Sequence, residues 1–75
     1  MDQPETPLEI ARRYVAEAEV RCARQAKLLE QMTAHNHPKG AAAAERLLLA
    51  MDRTLAVMLE HLQQEERLSH PGAGA

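Results

Sequence analysis

His35-Asn36-His37-Pro38-Lys39-Gly40, residues 35–40, gathers the only helix-breaking residues in the middle of the chain. Asn36 tolerates the left-handed backbone that ends helices. Pro38 disfavours helical geometry at His37. It also suits the first position of a following helix, where its missing N–H costs nothing, although Gly40 makes a poor first turn. The chain is therefore expected to turn here, and what the turn joins decides the fold.

On the N-terminal side, no Gly or Pro interrupts the chain from Pro7 to Thr33. Thr6-Pro7-Leu8-Glu9 reads as a capping box with proline at the first helical position. The Thr6 hydroxyl is placed to accept from the N–H of Glu9, and the Glu9 carboxylate to reach back to the N–H of Thr6. Glu9 with Arg13 and Glu17 with Arg21 stand four apart in the favourable order. Apolar positions recur by sevens. Leu8, Val15, Cys22 and Leu29 occupy one seam position; Ala11, Ala18, Gln25 and Met32 occupy the other.

Beyond the turn the same pattern resumes. Ala41, Leu48, Leu55 and Leu62 form one row, and Ala44, Met51, Met58 and Glu65 the second, with Leu47 and Leu59 widening the stripe. The expected fold is all-α, an antiparallel hairpin of helices over about 7–33 and 39–67. Residues 1–6 are expected to be a disordered leader, 7–68 the hairpin and 69–75 a flexible tail. Each helix would be about 40 Å long. Folding the chain about its turn sets Ala11 against Leu62, Val15 against Met58, Ala18 against Leu55 and Cys22 against Met51. Gln25 then meets Leu48, Leu29 meets Ala44, and Met32 meets Ala41. These pairs share a centre between Asn36 and His37, and most match a small residue with a large one, as an interdigitated layer requires.

Composition agrees with this architecture. The 75 residues carry a formal charge of −2, 45 % are hydrophobic, and Tyr14 is the only aromatic. The length excludes two domains, and no apolar run is long enough to span a bilayer. A basic and then apolar leader of the secretory kind is missing. One cysteine cannot staple the fold. A lone cysteine without such a leader suits a reducing setting, so a cytoplasmic location is expected. Chains this small need reinforcement, and two helices cannot cover such a seam by themselves. Residues 47–51, LLLAM, are apolar nearly all round, and Leu28, Leu49 and Val57 lie outside the seam. A two-fold dimer of hairpins, giving a four-helix bundle, is the simplest remedy. Docking onto a different helical protein would satisfy the same surface.

The seam of alternating small and large residues resembles that of the plasmid copy-control Rop family, short helical hairpins that dimerise. Val15 to Glu66, including AEAEVRCARQAKLLEQM and AERLLLAMDRTLAVMLEHL, is similar to short uncharacterised helical-hairpin proteins of bacterial genomes. The likeness implies a homodimeric bundle. The Rop type also implies an RNA-reading helical face, whereas the second group implies no activity.

The residues offer few chemical motifs. The site expected to matter is the core and dimer interface itself: Leu8, Ala11, Val15, Ala18, Cys22, Gln25, Leu29, Met32, Leu48, Met51, Leu55, Met58 and Leu62. His35 and His37 could supply two imidazoles to zinc or nickel, but the loop offers no third ligand. His61 lies far up the second helix, and His70 would have to come from a partner. The same histidines could act as a pH sensor. Cys22 falls on the seam without a base beside it, which suits core packing better than nucleophilic chemistry. Gln25 is the one polar residue of the first seam and is expected to fix register. Arg12, Arg13, Arg21, Arg24 and Lys27 are interleaved with acids; residues 1–33 hold five bases and six acids, a net of −1. A nucleic-acid face wants clustered positive charge and stacking aromatics. No paired carboxylates, phosphate loop or nucleophile elbow occurs. The expectation is thus a non-enzymatic interaction or scaffold module that takes no cofactor, touches no membrane and pairs with itself. The alternatives are a Rop-like RNA-binding regulator and a histidine-based metal or pH sensor.

Overall fold

The computed structural model describes residues 4–69. Two helices make up nearly all of them: α1, Pro7–Ala34, and α2, Pro38–Ser69. They pack against each other as a hairpin, and the described residues contain no strand.

The start of α1 follows from its cap. Thr6 is extended at φ −73° and ψ 160°, and its Oγ1 accepts from the Glu9 N–H at 3.1 Å. The return arm differs from the expected one. The Glu9 carboxylate accepts the Thr6 hydroxyl proton, Oγ1 to Oε1 3.1 Å, in place of the Thr6 backbone N–H. A hydroxyl donates and accepts at once, so one oxygen serves both arms of the cap. Upstream of it, Glu5 holds Arg13 through two bonds, Nε to Oε2 at 3.1 Å and Nη2 to Oε1 at 2.9 Å. Residue 5, assigned by sequence to the leader, is therefore tied to the helix; residues 1–3 and 70–75 lie outside the described residues.

The connection is three residues long, and each has a physical reason. Asn36 takes φ 56°, the left-handed region a short polar side chain tolerates. The His37 N–H then donates to the Met32 carbonyl at 2.9 Å, and the Asn36 N–H to Thr33 at 3.1 Å. This is the Schellman closure, which satisfies the last carbonyls of α1. The carbonyl of the same His37 accepts from the Ala41 N–H at 2.8 Å and opens α2. Pro38 is thus the first residue of α2, one earlier than the start expected at 39. The helix also runs on to Ser69, past the expected end at 67. Gly40 is absorbed in the first turn, where a Cβ would stand 3.0 Å from the Met32 sulfur. The close approach of Met32 gives this glycine a packing role.

The core lies along the seam. Every position assigned to the two heptad rows is buried or half-buried, and only Ile10 and Gly40 join them among the described residues. Burial is nonetheless shallow. Among the described residues Ala11, Val15 and Ala44 are the fully enclosed ones, all of them small, and no large side chain is completely buried. A single layer of two helices gives each large seam residue a neighbour on one side and solvent on another.

Candidate interaction surface

The seam residues singled out by sequence are all at the α1–α2 junction. Leu8, Ala18, Cys22, Leu29, Met32, Leu48, Met51, Leu55, Met58 and Leu62 are half-buried there, beside the enclosed Ala11 and Val15. Gln25 is half-buried too, and its Nε2 donates to the Ala44 carbonyl at 3.1 Å. This hydrogen bond joins the two helices away from the connecting turn. It reaches one turn beyond Leu48, the partner expected from the fold-over, because the long amide side chain leans along α2 to find an acceptor.

Cys22 is half-buried. Burial pushes its thiol up from the ordinary value of 9.0, and the neighbouring Asp52 and Glu19 push the same way. Each effect disfavours thiolate, the reverse of what a nucleophilic cysteine needs. His35 and His37 occupy the exposed turn. Nδ1 of His35 lies 2.8 Å from the Gln31 carbonyl, the arrangement of a helix-end cap. Among the described residues no group of three or more His, Cys, Asp or Glu side chains is placed to hold a metal ion. No helix among them is long and apolar enough to cross a membrane.

Arg13 is the most engaged of the basic residues. It binds Glu5, lies 3.6 Å from Glu17, and sits 5.1 Å from the centre of the Tyr14 ring. Hydrogen bonding to Glu5 raises its pKa further.

The two flanks of the seam differ, and sequence alone did not separate them. On one flank two apolar grooves, each about 290 Å³, run end to end and meet at Met58. The first is floored by Ala18, Cys22 and Met51, with Arg21, Leu47, Ala50 and Thr54 at its sides. The second lies among Ala11, Tyr14, Val57 and His61. The rim residues Tyr14 and Arg21, and Leu47, Thr54 and His61, recur by sevens; the same step adds Leu28 and Leu68. Tyr14, Leu47 and Val57 are 49 %, 52 % and 64 % exposed. On the other flank the sevenfold rows are Arg12, Glu19, Ala26, Thr33 and Glu45, Asp52, Leu59, Glu66. That side carries four acids against one base, whereas the grooved rows carry Arg21, His61 and no acid. The sequence signal was the all-round apolarity of residues 47–51. It announced surplus apolar surface without saying which side of the hairpin would gather it.

No protein family, curated protein or solved structure matches the chain in comparisons with each.

Proposed function

We propose that this chain is a small, non-enzymatic interaction module that pairs with itself, two hairpins closing over their shared seam as a four-helix bundle. One observation carries the reading: nine of the sixteen heptad positions hold Leu, Met or Val, yet Val15 is the one of these nine that is fully enclosed. Burying a Leu or Met side chain is worth about 1.5–3 kcal/mol. Leu48, Met51, Leu55, Met58 and Leu62 are incompletely buried and leave part of that unrealised in one hairpin. A second layer of helices recovers it, as in bundles generally.

Surface area supports the same reading. The chain exposes 6144 Å², whereas a compact chain of its 8.3 kDa would expose about 4,600 Å². Setting aside about 160 Å² for each of the nine residues outside the description leaves about 4,700 Å², against about 4,200 Å² for a compact chain of the 66 described residues, an excess of roughly 500 Å². A standard interface covers about 800 Å² per partner.

Light scattering coupled to size exclusion tests the proposal. The expected mass at micromolar concentration is twice 8.3 kDa. A folded species of 8.3 kDa that persists to about 100 µM overturns it, since an interface this apolar should hold well below that concentration.

A further inference from the structure

Resting on the self-pairing reading above, we infer that the second copy docks on the grooved flank, against Tyr14, Leu47 and Val57, and that the acidic flank stays in solvent. The exposed residues alone do not decide this, because Leu49 and Leu59 are exposed elsewhere, at 51 % and 39 %. Charge and shape do.

A two-fold interface presses a surface against its own image. Whatever net charge that surface bears is doubled, and like charges brought together across an interface cost several kcal/mol. The rows holding Glu19, Glu45, Asp52 and Glu66 with Arg12 would set eight acids and two bases into one junction. The grooved rows bring only Arg21 and His61 from each copy, and no acid. Arginine also keeps its charged head in water while its stem lies on apolar surface, so Arg21 at the groove edge is compatible with closure.

Relief on the grooved flank suits a copy of itself. Ala18 and Cys22 leave the floor low, while Leu47 and Val57 stand proud beside it. Large side chains of one hairpin meet small ones of the other, the complementarity that packed helical layers use. The grooves run from the level of Ala11 to that of Leu47, along much of the hairpin, as a helix-on-helix interface requires.

Leu47 and Leu49 supply a matched test. They are two residues apart and equally exposed, but only Leu47 lines the groove. The full chain is compared with Leu47→Lys and Leu49→Lys by light scattering over a concentration series, with far-UV circular dichroism to follow the fold. Leu47→Lys is expected to weaken dimerisation at least about tenfold, and Leu49→Lys to leave it within about twofold of the parent. Dissociation by Leu49→Lys alone, or by both equally, overturns the choice of face while the dimer stands. A monomeric parent chain overturns the self-pairing reading itself. Should Leu47→Lys unfold, Tyr14 gives a second readout in the unmodified protein, since it is the only aromatic residue and sits in the groove. Acrylamide quenching of its fluorescence should fall several-fold as the mass doubles. Quenching that stays constant through dimerisation refutes the docking face.

Discussion

Replacing Gln25 separates two roles that a polar seam residue can play. Its amide donates to the Ala44 carbonyl at 3.1 Å, and that carbonyl lies inside α2, where the helical ladder already supplies a donor. A carbonyl has two lone pairs, so losing Gln25 leaves no orphaned acceptor. Gln25→Leu therefore forfeits one neutral hydrogen bond, worth about 1 kcal/mol, without the added penalty of a stranded group. Burying about half a leucine side chain returns about 1 kcal/mol. The leucine variant is expected within about 1 kcal/mol of the parent. Gln25→Ala loses the bond and the partial burial of one methylene, about 1.5 kcal/mol together. Urea titrations followed by circular dichroism at one fixed protein concentration measure both, because association contributes to apparent stability. A leucine variant destabilised by more than about 2 kcal/mol would refute the reasoning: Ala44 would then depend on the amide. If the amide sets orientation, the leucine variant should also show more than one set of backbone amide resonances, where the parent shows one.

Other outcomes follow from the turn and from Cys22. Asn36 holds φ 56°; Asn36→Gly should raise the melting temperature by a few degrees, and Asn36→Val should lower it by about 5–10 °C through a left-handed penalty of 1–2 kcal/mol. Thermal unfolding checks both, and a valine variant as stable as the parent contradicts the Schellman closure. The Cys22 thiol is pushed above 9.0 by burial and then by Asp52. Because the folded state favours the protonated thiol, its contribution is intact below that value and is lost as pH rises past it. Alkylation by iodoacetamide should have its midpoint above 9.0, and Asp52→Asn should move it down part of the way. A midpoint below 9.0 would mean an activated cysteine.

Much of this molecule was legible in the residue order because helices translate spacing directly into position. Rows repeating every seven residues fix which side chains lie at the junction, whatever the helices pack against. Thr6 and Asn36 likewise end their helices by chemistry local to a few residues. Less legible were contacts whose partners lie farther along the chain. Glu5 reaches Arg13 across eight positions, and the Glu9 carboxylate takes the Thr6 hydroxyl in place of the N–H because side-chain torsions choose between two acceptable donors. Pro38 and Gly40 conflicted as signals at the head of α2. The conflict resolved when Met32 packed over Gly40, a contact between two helices.

By itself the sequence determined two amphipathic helices, the turn between them and the seam along which they meet. All of these depend on backbone preferences and on a periodicity that survives any packing. Only the tertiary structure decided that Tyr14, Leu47 and Val57 share one grooved flank while Glu45, Asp52 and Glu66 share the other. The heptad gives a residue's angle about its own helix, but how deep a groove opens beside the seam depends on how closely the two axes approach and how the side chains at the junction pack.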